Sequence, residues 1–255
     1  MTMYSDFITN LLGLPDWAWA ALVAPFAGSC MGVLARRLPA GRKVGLARSA
    51  CDSCGATLGA RELVPLLSYV VQRGRCRHCN APIGLFAPAM ELAAVAVALW
   101  AGSVFVGNTL WISCVLGWML LALAVADWTS YRLPDGLTLP LLLIGLGATA
   151  WLWPDALTDH ALAAALGYGL FRGVAWLYRR LRGRDGLGGG DAKLLAASGA
   201  WVGLAALPWV ILVAALAGLA LGLALAVHRR RLSARMALPF GPCLALATWL
   251  VWLYG

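Results

Sequence analysis

Eight apolar runs, set apart by polar connections, leave this chain few ways to fold. They cover residues 17–34, 88–106, 110–126, 137–153, 161–178, 194–207, 209–227 and 238–254. Runs of this length and apolarity bury their surface either in a very large core or in a bilayer. With 62% of the 255 residues hydrophobic, 12% charged and a mean hydropathy of +0.79, the chain has too little polar surface to shield such a core from water. It therefore reads as all-α, a polytopic membrane helix bundle of about eight transmembrane helices. Several runs fall short of the ~20 residues of a full span, so flanking anchors or local thinning must supply the remainder. The thirteen Trp suit interfacial anchoring as well as packing.

The formal charge of +9 would suit a nucleic-acid partner, but its placement points elsewhere. With the N-terminus outside and eight helices alternating, the inner segments are 35–87, 127–136, 179–193 and 228–237. Nineteen of the twenty Lys and Arg fall in them. The last, Arg172, sits near the inner end of the fifth run and can snorkel. The outer segments hold Asp6, Asp16, Asp155 and Asp159 and no base. This is a positive-inside pattern. The charge thus reports topology: no nucleic acid is expected as a partner, and anionic membrane lipid is. The first fourteen residues lack a basic start and carry Asp6, so no cleavable signal peptide is expected.

Three parts follow: 1–34, an N-terminal segment with the first helix; 35–87, an inner loop long enough for a small module; and 88–255, a seven-helix membrane domain. The loop carries Cys51-x-x-Cys54 and Cys76-x-x-Cys79. Two such pairs on a cytoplasmic loop read as a four-thiolate zinc site. Two disulfides or unrelated thiols are the alternatives, and a reducing compartment weighs against disulfides. Four Cys close the coordination shell, so the metal would be structural. His78, inside the second pair, reads as a solvated loop residue, and Cys30, Cys114 and Cys243 as core residues of apolar runs.

The remaining chemistry lies in two carboxylates. Asp191 follows Gly188-Gly189-Gly190 and opens the sixth run; Asp127 ends the third. Asp191 could simply cap its helix. The topology, however, puts both acids at inner helix ends, where packing could bring them together. Two carboxylates sharing one proton can act on a peptide bond, one as base on water and the other polarising the carbonyl. Such a pair titrates as a unit. The three glycines would let an extended substrate backbone approach closely. A zinc-ribbon membrane scaffold, or a proton-coupled transporter using the same two Asp, is the reading from a different class. It lacks stepping stones: no acid lies midway along any run, and Glu91 sits near an inner end. A presenilin-like protease of intramembrane bonds would use the same chemistry, but the large inner loop favours a substrate cut at the inner surface.

Taken together, these residues resemble the prepilin peptidase family. The resemblance is carried by Gly28-Ser29, Arg37-Leu38-Pro39, the two Cys pairs with Arg73-Gly74-Arg75-Cys76, Glu62 with Pro65, and Glu91. It continues through Asp127, Leu133-Pro134-Asp135 and Gly188-Gly189-Gly190-Asp191-Ala192-Lys193, a GxGD-type signature. It implies an enzyme of the bacterial inner membrane that removes the basic leader of a type IV prepilin or type II secretion pseudopilin after a Gly, on the cytoplasmic side. It also implies N-methylation of the new N-terminal residue with S-adenosylmethionine. The family's catalytic pair carries over onto Asp127 and Asp191, and its zinc ligands onto Cys51, Cys54, Cys76 and Cys79. Asp135 is expected to cap the fourth helix, and Lys193 to face lipid phosphate or substrate. The family's Asn near the end of the first helix is missing from Gly28-Ser29-Cys30-Met31-Gly32, and Glu62-Leu63-Val64-Pro65 and Phe86-Ala87-Pro88 also depart from its pattern. These departures bear on methyl transfer and spare the carboxylates.

Overall fold

The computed structural model describes residues 13–42, 44, 49–51, 53–183, 188–229 and 238–255. The first residues with Asp6, the start of the Gly-rich loop at Gly186, and the basic segment 230–237 lie outside them. So does most of the stretch on which the absence of a signal peptide was expected. Among the described residues the regular structure is helical, with two isolated bridges, Ala50 to Thr57 and Arg75 to Pro82. The chain divides into two compact units, Met1–Ala122 and Leu123–Gly255.

The first unit holds α1 (Asp16–Arg37), a 3-10 turn (Ala60–Glu62), the short α2 (Leu67–Val71), α3 (Phe86–Gly102) and the larger part of α4 (Gly107–Ser130). Ala20, Ala24, Gly28 and Gly32 recur every fourth residue along α1 and are all buried. They form a stripe of small side chains that lets α3 come close. A Cβ on Gly28 would lie 2.6 Å from the Met90 carbonyl oxygen and 2.8 Å from Ala94 Cβ. At the far end of α1, Asp16 accepts the Gly107 N–H at 2.8 Å, capping the turn into α4. Trp118 of α4 donates its indole N–H to the Ala94 carbonyl at 3.0 Å, satisfying a polar atom that apolar surroundings would otherwise strand.

The second unit holds the last turns of α4, then α5 (Asp135–Leu152), a 3-10 turn (Pro154–Ala156), α6 (Leu157–Arg182), α7 (Gly189–Arg229) and α8 (Gly241–Tyr254). Among the described residues five helices are long and apolar enough to cross a membrane, and α3 and α8 are shorter apolar helices. The expected eight spans differ from this in one place. The sixth and seventh runs lie in the single stretch α7, which breaks at Gly203 (φ 77, ψ 178) and not at Pro208. That backbone conformation is open essentially to Gly alone. Asp159, expected only as an outer-loop acid, accepts the Leu204 N–H at 2.8 Å and so caps the restarted helix. Pro208 lies inside the second half of the helix, five residues past the break. The two halves of α7 are thus the two expected segments, joined without a loop. Trp201 fills the notch left by Gly145 and donates to the Leu141 carbonyl at 2.9 Å, locking α7 to α5. Gly199 lets α7 meet the backbone of α6 at Ala163.

Candidate active site

Asp127 is carried one turn from the end of α4, which closes with Tyr131 in the left-handed region (φ 54) donating to the Asp127 carbonyl. Thr129 and Ser130 turn their hydroxyls back onto the Val125 and Ala126 carbonyls, so the polar end of this helix is satisfied internally. Asp191 lies in the first turn of α7. Its carboxylate folds back to the backbone of Gly188. Both side chains are buried, with Asp127 6% and Asp191 9% exposed. The structure brings them together: each carboxylate lies within electrostatic reach of the other. The repulsion between two buried carboxylates opposes ionising both.

The loop before Asp191 is seated by close contacts. A Cβ on Gly190 would meet Leu133 Cβ at 2.8 Å, so the glycine run lies directly on the Leu133-Pro134-Asp135 turn. Gly188 leaves room for the Asp191 carboxylate, and Gly189 lies near the Arg172 guanidinium. Asp135 does not cap α5. Pro134 occupies the cap position and Asp135 is the first helical residue, ion-paired with Lys193 two positions past Asp191. Lys193, expected to face lipid phosphate or substrate, is paired with Asp135 here while both side chains stay partly exposed.

One contributor was not visible in the sequence. Gly241, first residue of α8, donates its N–H to Asp127 Oδ2 at 2.9 Å across 114 residues of chain. Its only signal was the break before Pro242, which reads as an ordinary helix start.

In the first unit, the Sγ atoms of Cys51, Cys54, Cys76 and Cys79 all lie within 4.8 Å of one another. The two pairs fold alike. Cys51 N–H donates to the Ala56 carbonyl and Cys76 N–H to Ala81; Gly55 N–H returns to Cys51 and Asn80 N–H to Cys76. Each turn needs a left-handed residue, supplied by Gly55 (φ 70) and Asn80 (φ 59). Backbone N–H groups of Cys54 and Ser53 lower the Cys51 thiol to about 6. Cys79 goes the other way, to about 11: the Ala81 backbone pulls it down, but burial and the three neighbouring thiols outweigh that. Four crowded sulfurs cannot all ionise unaided, and a soft divalent cation removes the conflict, so the donor set fits zinc. His78 stays outside the tetrad, with Nε2 3.9 Å from Glu62 Oε1. Cys114 and Cys243 are buried as expected, whereas Cys30 faces outward from α1. Glu91 is buried and accepts the Leu66 N–H at 2.7 Å, which ties the inner module to α3.

A multi-pass helical membrane protein with a paired-carboxylate centre in one unit and a tetrathiolate knuckle module in the other is a narrow class. Comparison with known families places the chain within it. Residues 114–223 match the Type IV leader peptidase family and residues 22–105 the Bacterial Peptidase A24 N-terminal domain. A "Prepilin leader peptidase/N-methyltransferase" of Burkholderia pseudomallei (strain 1026b) is 44% identical over 230 residues, 89% of this chain and 73% of that one. Proteins of the same name from Aeromonas hydrophila and Pseudomonas aeruginosa are 41% and 38% identical, each over 82% of this chain and 72% of the relative. No solved structure matches. The chain belongs to the type IV leader peptidase family.

Proposed function

We propose that this protein is a membrane aspartic endopeptidase that removes the basic leader of type IV prepilins or pseudopilins, with Asp127 and Asp191 as its catalytic pair. The observation that carries this reading is the meeting of two buried carboxylates from α4 and α7 beside a glycine loop. One carboxylate takes a proton from a water, whose oxygen attacks the carbonyl carbon of the leader's last residue, Gly. The other, protonated, donates a hydrogen bond to the carbonyl oxygen as charge develops there. When the C–N bond breaks, the proton held by the base passes to the leaving amine, and the pair returns to one shared proton. Gly188 and Gly190 shape the loop through their contacts with the Asp191 carboxylate and Leu133, and with Gly189 they form the glycine run along which the extended substrate backbone lies. The cut falls at the cytoplasmic face of the inner membrane, a placement supported by the crowding of Lys and Arg into the segments on that side. The division into 1–34, 35–87 and 88–255 belongs to the same proposal.

Cys51, Cys54, Cys76 and Cys79 hold structural zinc, which orders the inner module. S-adenosylmethionine supplies the methyl group for the new N-terminal amine when bound, an activity that the names of the relatives support. Mass spectrometry of a pseudopilin incubated with the purified protein tests both steps. Loss of the leader with gain of one methyl group is the expected product; an intact leader contradicts the peptidase, and leader loss without methylation contradicts only the transferase.

A further inference from the structure

The last helix begins against Asp127. The Gly241 N–H donates to Asp127 Oδ2 at 2.9 Å, and a Cβ at Gly241 would lie 2.7 Å from that oxygen and 2.9 Å from Asp127 Cβ and Cγ. Real side-chain carbons do not come so near, so only glycine delivers this donor. The segment leading to it is itself anchored. Leu238 occupies the space that Gly222 leaves on α7, and Phe240 the space that Gly218 leaves, with its ring 6.3 Å from the Phe171 ring of α6. Pro239 is buried, and Pro242 pre-sets the first turn of α8. Gly241 is therefore held by packing on α6 and α7, and its N–H is a fixed donor that does not depend on a fraying helix end. A helix start also complements negative charge.

We propose that Gly241 is a positioning residue for Asp127. This rests on the reading of Asp127 as one of the catalytic carboxylates. The N–H fixes Oδ2 and leaves Oδ1 for the shared proton and the attacking water. Asp191 is oriented by a different element, its own Gly188 loop, so a disturbance at Gly241 acts on one carboxylate alone. A methyl group at position 241 displaces the Asp127 carboxylate from its seat, at a distance in sequence from the glycine run before Asp191.

The test measures leader cleavage by the full-length protein in lipid, with steady-state constants and a pH profile, for Gly241→Ala. Gly147→Ala serves as control, because nothing lies within 4 Å of a Cβ there. A misplacement of about an ångström costs on the order of 100-fold. The expected result is a fall in kcat of that order with KM within about twofold of wild type, and a displaced pH profile; Gly147→Ala cleaves normally. A Gly241→Ala protein with wild-type kcat and pH profile overturns the proposal. So does a fall in kcat with an unshifted profile, which a general loss of folded protein would give. If Gly241→Ala does not accumulate, Asp127→Gly/Gly241→Ala is measured against Asp127→Gly. Restored accumulation supports the contact, and failure to restore it overturns the contact. Asp127→Asn in the same assay separates the two levels: if it still cleaves, the catalytic reading itself falls, whatever Gly241→Ala does.

Discussion

Asp135 and Lys193 show how much a single contact changes the meaning of a residue. In the sequence each had an ordinary role, a helix cap and a lipid-facing base. In the fold they pair across the start of α5 and the first turn of α7, beside Asp191. Both are partly exposed, so the pair adds at most about 1 kcal/mol to stability. Its effect is on placement. Lys193→Met and Asp135→Asn are each expected to slow cleavage by roughly tenfold, about 1.4 kcal/mol of barrier. The double variant is expected to be no slower than either, since both remove one interaction. Additive losses would show that the two act separately. The acids themselves were legible as residues, because buried carboxylates at helix ends carry a cost that needs a reason. Gly241 was not, because nothing local distinguishes a glycine that approaches a carboxylate from one that starts a helix.

At the scale of elements, hydrophobic run length placed each long apolar helix of the described residues to within about five residues at either end. It misplaced one boundary. The sixth and seventh runs part at residue 208, whereas α7 breaks at Gly203, where Asp159 supplies a cap from another helix. A break stabilised by a distant side chain leaves no periodic trace. Gly203→Ala is expected to destabilise the protein by about 1–3 kcal/mol, because the residue needs a Gly-only conformation and its Cβ would lie 2.7 Å from Asp159 Oδ2. Thermal unfolding in detergent measures this, and an unchanged midpoint would contradict it. The small-residue stripe on α1 makes a parallel case. Gly28→Val should loosen α1 from α3 at a cost of about 1–3 kcal/mol, the usual range for overpacking.

For the whole molecule, charge placement and cysteine spacing are the features most legible in the sequence. Basic residues sort to one side because a bilayer orients them, and paired Cys knuckles need only local turns to form, so both survive as sequence patterns. Pairing of the carboxylates, by contrast, depends on how α4, α7 and α8 pack, which no local pattern encodes. The four clustered cysteines bear on the whole molecule through the zinc proposed to join them. Metal binding requires thiolates, so affinity is full at neutral pH and falls as protons compete below it. Chelation, Cys51→Ser or Cys76→Ser should each remove metal and loosen the inner module, seen as faster proteolysis within 35–87. Retained stoichiometric zinc in either variant would contradict the site.

The central claim is that Asp127 and Asp191 act as one catalytic pair. Asp127→Asn and Asp191→Asn, each folded in membranes and presented with a pseudopilin, test it most directly when the substrate mass is read afterwards. The account predicts that the leader remains attached in both cases. Removal at the wild-type rate by either variant would contradict it.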